Sequence, residues 1–251
     1  MDQVGALFGP LLVAVVLSSR GHYRAAFAIL FFPALVVLGV LLGARFLYPR
    51  PEDLEPAAPS LAAKGLTGIF WVYLGGAALV AVGFADFSLI AYHFKRPPRS
   101  PPYRSPLFYS VAMAVSGLGS LGFGRLFDRV GILILAPLTV ISALFAPLVF
   151  LGNYWLTLIG SALWGLGMGV HESIIPAAVA LMVPRTRRPS AYGTFTSIYG
   201  VAWFVGSAIT GIFYDRSIPA VILFCVACQL AAIPIFLSVR KQLACGGQPP
   251  S

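Results

Sequence analysis

Charge is scarce in this sequence and acid is scarcer: only 10% of the 251 residues are charged, and eight acidic side chains stand against seventeen lysines and arginines. With 59% hydrophobic residues and a mean hydropathy of +0.88, that scarcity excludes a water-soluble domain with a charged coat around a packed core. Cysteine is nearly absent. Cys225 and Cys228 have Cys-x-x-Cys spacing, but no second pair accompanies them and Cys245 stands alone, so they read as small buried apolar residues and not as a zinc or disulfide framework. No Walker-type glycine loop occurs, which argues against an ATP-driven pump. His171-Glu172 begins the pattern of a zinc-protease helix, yet Ile175 occupies the place of the histidine required at i+4. The chain is therefore read as a non-enzyme with no catalytic residue, metal site or cofactor. Its formal charge of +9 is spread through short gaps with no continuous basic face, which points to membrane topology and away from nucleic acid. No basic residue precedes the first apolar run, so that run is expected to be a mature helix and not a signal peptide.

Long apolar runs are what the chain has in abundance. Eight are expected to span a bilayer, about Val4 to Ser19, Tyr23 to Leu42, Leu66 to Tyr92, Ser105 to Phe123, Ile132 to Leu151, Tyr154 to Val183, Ala191 to Tyr214 and Ile218 to Val239. The long polar interruption, Ala44 to Lys64, holds Pro49, Pro51, Pro56 and Pro59 with Glu52, Asp53 and Glu55, and reads as a linker without a core. A second proline-rich stretch, Lys95 to Arg104, is expected to be a stiff loop on the opposite side. If the linker faces the cytoplasm, ten lysines and arginines lie on its side and seven on the other, a weak positive-inside bias.

Between the fourth and fifth runs stands Gly124-Arg125-Leu-Phe-Asp128-Arg129-Val-Gly131, read as a tight loop. It resembles the Gly-x-x-x-Asp-Arg/Lys-x-Gly loop that joins the second and third helices of each half in the major facilitator superfamily. In that family the loop is thought to latch one conformational state, which assigns Gly124, Arg125, Asp128, Arg129 and Gly131 to a cytoplasmic latch. The resemblance implies an all-α integral membrane protein: residues 1–43 as the last two helices of a first bundle, 44–65 as a cytoplasmic linker, 66–241 as a complete second bundle of six helices, and 242–251 as a disordered tail. The first four helices of the twelve-helix pattern are then missing from this sequence. The two halves of the family are themselves repeats, and Asp2 to Ala14 can be laid on Tyr199 to Gly211 with Phe8-Gly9-Pro10 over Val205-Gly206-Ser207.

The implied function is a multi-pass secondary transporter of small molecules in the plasma membrane, or the inner membrane of a bacterium, in truncated form. Gly5-Ala-Leu-Phe-Gly9-Pro10 resembles the Gly-x-x-x-Gly-Pro element in the fifth helix of proton-coupled exporters, which suggests efflux against protons; a small-residue packing face is the competing reading. The implied partners are membrane lipid, a small-molecule substrate, protons and a second chain supplying the missing helices. The rival reading is a non-transporting bundle that only packs with another chain. Ionisable residues inside spans are the best pointers to a transport path. Asp86 lies inside the third run with His93 seven residues on, along the same helical face, and His171 and Glu172 lie mid-way along the sixth. Asp86 and Glu172 are expected to exchange protons or hold a cationic group, with His171 and His93 as partners. Helix rise sets the two acids too far apart for direct contact. Gly165, Gly169 and Pro176 bracket the sixth-run pair and mark either a hinge or a packing face.

Overall fold

The computed structural model describes residues 2–20, 22–47, 65–95 and 101–245. Most of the proline-rich linker, residues 96–100 of the second proline-rich stretch and the last six residues lie outside the described residues. Within them every regular element is helical: α1 (Asp2–Arg20), α2 (Tyr23–Leu47), α3 (Gly68–Val82), α4 (Phe87–Lys95), α5 (Arg104–Val130), α6 (Leu135–Ala143), α7 (Phe145–Leu151), α8 (Tyr154–Gly169), α9 (Ile175–Val179), α10 (Arg188–Arg216) and α11 (Ile218–Cys245). A 3-10 turn, Gly131–Ile134, precedes α6, and a π turn, Val170–Ile174, joins α8 to α9. Among the described residues six stretches are long and apolar enough to cross a bilayer: Tyr23–Leu47, Gly68–Lys95, Arg104–Leu151, Tyr154–Val179, Arg185–Arg216 and Ile218–Ala244; apolar Gly5–Ser19 is shorter.

The stretch Arg104–Leu151 doubles back. Arg104, at its start, lies over the ring of Tyr154, just beyond its end, with 5.1 Å from guanidinium to centroid. The chain therefore runs out along α5 and returns along α6 and α7. The reversal is confined to Gly131, whose φ of 65° favours glycine because a Cβ would crowd the backbone. This corrects the reading of the octapeptide as a loop: Gly124 to Val130 prolong α5, and the Gly131 amide donates to Phe127 O. Phe127 packs on the core there, so burial holds the helix through the charged positions. Two other boundaries move outward. α2 continues to Leu47, past the start of the linker, and α11 continues to Cys245, into the stretch read as tail.

The third run is also not one helix. α3 ends at Val82, residues 83–86 leave the helical path, and α4 begins at Phe87. Thr67 starts α3 by accepting the Phe70 amide at 3.3 Å and donating to Met182 O at 3.3 Å. At that end Arg187 also donates to Gly65 O at 2.6 Å, which ties the end of the linker to the start of α10.

Burial divides into two stacked cores. One, toward the Gly131 turn, gathers Phe70, Tyr73, Leu135, Ile174, Phe195 and Phe236. The other, toward Arg104, gathers Phe84, Phe108, Phe145, Trp164, Tyr214 and Val221. α1 packs along α5 and α2 against α1, so the two helices before the linker touch the rest mainly through α1. Glycines set the closest approaches. A Cβ on Gly165 of α8 would collide with the backbone of Ala112 in α5, and one on Gly206 of α10 with the backbone of Val82. Gly169 is less tight, since a Cβ there would lie 3.0 Å from Ser116 O. By contrast, nothing lies within 4 Å of a Cβ built on Gly5 or Gly9 among the described residues.

Candidate functional site

Where α3 stops, the backbone carbonyls of the break need partners, because lipid offers none. Neighbouring helices supply them. Trp164 of α8 donates from Nε1 to Ala85 O at 2.8 Å, and Gln229 of α11 donates to Gly83 O at 3.4 Å. A Cβ on Gly83 would sit 2.7 Å from Cys228 Cβ, so only glycine lets α11 approach the break this closely. The break is thus a packed feature and not a slack one. It carries Asp86 into the interface with α10, where the carboxylate accepts from Trp203 Nε1 at 2.7 Å and from the Ser207 hydroxyl.

His171 faces the other side of the same tryptophan. The π turn places it, buried, with its ring 5.2 Å from Trp203 and 4.3 Å from Phe84. Its Nδ1 is hydrogen-bonded to the Tyr199 hydroxyl. The π turn has a local cause. Pro176 has no amide hydrogen to return to the carbonyl four residues back, and the Ile175 amide reaches instead to Val170 O, five residues back. The Ser173 hydroxyl bonds Gly169 O, and Tyr73 of α3 donates to Ile175 O at 2.7 Å. Glu172, the neighbour of His171 in the π turn, is exposed.

The expected site residues are therefore brought together in part. Asp86, Trp203, His171 and Tyr199 form one line of hydrogen bonds and ring contacts from the break in α3–α4 to the π turn, where exposed Glu172 adjoins His171. His93 lies outside it: its Nδ1 pairs with the Tyr214 hydroxyl at 2.9 Å and its ring packs on Phe150. Asp86 stands in the break and not on the helix that carries His93, yet both turn toward α10, where their partners Ser207 and Tyr214 are seven residues apart.

Sequence reasoning missed the α10 partners. The signal was there, because Phe195, Tyr199, Trp203 and Ser207 recur every four residues and so line one helical face. Tyr199→Phe tests how much the buried pairing contributes. It leaves His171 Nδ1 without that partner in a dry site, and should lower stability by roughly 1–3 kcal/mol, read as a lower unfolding temperature of the purified protein. An unchanged temperature would mean that water replaces the hydroxyl.

Next to the break is a cavity of about 410 Å³ between α1, α2, α4 and α5. Gly9 and Pro10 form its α1 wall, Phe87 and Tyr109 the wall beside Asp86, and Lys95 its charged rim. The absence of a side chain at Gly9 leaves space here instead of allowing a close helix contact. Among the described residues no group of three or more His, Cys, Asp and Glu side chains could hold a metal ion, and Cys225 and Cys228 are free thiols.

The fold thus presents a bundle of apolar helices of membrane-spanning length, broken at a half-buried, hydrogen-bonded carboxylate. The chain belongs to the major facilitator superfamily, whose family model matches residues 1–207 and again 107–244. It is 35% identical over 249 residues to uncharacterized proteins of Mycobacterium tuberculosis and Mycobacterium bovis. The match covers 96% of this chain and 60% of theirs, so the chain spans about three-fifths of the length of those relatives. No solved structure gives a significant match.

Proposed function

We propose that this chain forms the later eight crossings of a secondary transporter in the plasma membrane that exports small molecules in exchange for protons. In this reading the six crossings after the linker make one bundle, and the cavity beside α1 is part of the cargo path. The observation that carries it is the line of contacts from Asp86 through Trp203 to His171 and Tyr199, with Glu172 next to His171 in the π turn, which sets two acidic positions at its ends within the helical spans. The two acids do not touch. Trp203 and the His171–Tyr199 pair fill the gap, and the two acids stand at irregular places in their spans, the break and the π turn, where small changes of tilt are least costly. Largely apolar walls with a single lysine at the rim suit a compact organic cargo with an apolar body.

The test is energised flux. Vesicles carrying the full-length protein are loaded with a panel of fluorescent organic dyes, and a pH gradient is imposed. Export should follow the gradient and stop when a protonophore collapses it; flux that ignores the gradient would overturn proton coupling. At the Gly131 end, Asp128→Asn should slow export roughly fivefold or more at equal membrane abundance, if this position latches one conformation. Normal rates would remove the latch.

A second reading is favoured by α2. Its apolar side chains Phe31, Phe32, Val36, Val40 and Leu41 are exposed, and among the described residues it packs mainly on α1. A bundle that serves to pack against another chain, without transporting, would present such a surface. Dye flux by the reconstituted protein rejects this reading.

A further inference from the structure

A second cavity, about 160 Å³, opens at the end of the bundle opposite the Gly131 turn. His93 of α4, Arg104 and Phe108 of α5, and Asn153, Tyr154 and Thr157 at the start of α8 form its walls. None of the described lining residues is acidic. Arg104 has its guanidinium 5.1 Å above the Tyr154 ring, and its Nε is buried without a hydrogen-bond acceptor. A desolvated N–H without an acceptor is costly, so the site is short of a negative oxygen.

The rest of the wall also donates. Asn153 uses its side-chain oxygen to accept the Leu156 amide at 3.1 Å, which leaves its NH₂ group as the outward polar atom. The first-turn amides of Tyr154 and Trp155 have no intrahelical acceptor, and they belong to the positive end of α8. The depth of the cavity names the ligand. Tyr92 and Trp155 beside it are 57% and 68% exposed, and exposed tyrosine and tryptophan sit where the bilayer meets water. Lipid phosphates lie at that depth, and the guanidinium fork matches two phosphate oxygens at once.

We propose that this cavity binds the phosphate of an anionic phospholipid headgroup, with Arg104 as its anchor. The site stands apart from the Asp86 line and does not depend on the transport reading. Full-length protein is reconstituted into nanodiscs of phosphatidylcholine with a minor fraction of phosphatidylglycerol, and the lipids retained after detergent extraction are counted by native mass spectrometry. Phosphatidylglycerol should be enriched on the wild type. Arg104→Gln should reduce that enrichment about tenfold, and Arg104→Lys, which keeps the charge but not the fork, should reduce it less. No enrichment on the wild type, or equal enrichment in wild type and a folded Arg104→Gln protein, overturns the proposal. If Arg104→Gln fails to insert, an Arg104→Lys protein indistinguishable from wild type does the same. Soluble glycerol 3-phosphate supplies the other arm: saturable Arg104-dependent binding in pure phosphatidylcholine discs, with no phosphatidylglycerol enrichment, reassigns the site to a free phosphate ester and overturns the lipid assignment.

Discussion

Asp86→Asn should cut proton-driven export by about a hundredfold while the protein still inserts and folds. Asparagine keeps an oxygen that can accept from Trp203 Nε1, so the contact between the break and α10 survives. What it cannot do is carry a charge in one state and a proton in another. The Ser207 hydroxyl bonds the second carboxylate oxygen, and the asparagine amide in that place can still bond it by donating to the hydroxyl oxygen. A loss of flux in Asp86→Asn therefore reports proton chemistry and not broken packing. Dye flux in pH-energised vesicles measures it, with the purified variant's unfolding temperature as control. Glu172→Gln should likewise abolish coupling if the exposed end of the line takes up the second proton. Full coupling in both variants would sink the assignment.

Gly165→Ala should be the most damaging of the single-methyl changes. The added Cβ would fall on the backbone of Ala112, and backbone cannot rotate aside as a flexible side chain can. α8 must then move away from α5 along a seam that both cores depend on. Overpacking of this kind costs roughly 1–3 kcal/mol, equivalent to a fall of roughly 3–10 °C in unfolding temperature for a bundle of this size. Gly211→Ala is the matched control, because nothing lies within 4 Å of its Cβ and α10 is helical there. It should be neutral or slightly stabilising. Equal behaviour of the two would mean that α5 and α8 are not held at the distance described.

The apolar runs made the helices legible, because a bilayer demands length and hydropathy of each crossing separately. The break at residues 83–86 was not, since Gly83 sits in an apolar run and its role depends on Cys228 and Gln229, far away in sequence. The octapeptide misled in the opposite direction. Its charges suggest a solvated loop, while packing of Phe127 keeps it helical as far as the turn at Gly131. At the site, a search for ionisable groups found Asp86, His171 and Glu172 but passed over Trp203 and Tyr199, whose importance comes from where α10 is packed. Gly9 was weighed as a packing glycine, and lines a cavity instead.

The two stacked cores meet at a common level, and three crossings are irregular there: the break between α3 and α4, the join of α6 and α7 at Leu144, and the π turn. α3 is gripped by α10 and α11, whereas α4 is gripped by α5 and α7. One crossing thus belongs to two clamps, one in each layer, and α10 reaches both, holding Asp86 through Trp203 and His93 through Tyr214. A shear between the layers would be absorbed at residues 83–86 and felt directly by Asp86, so the segment works as a strain gauge whose reading is the geometry around a single carboxylate.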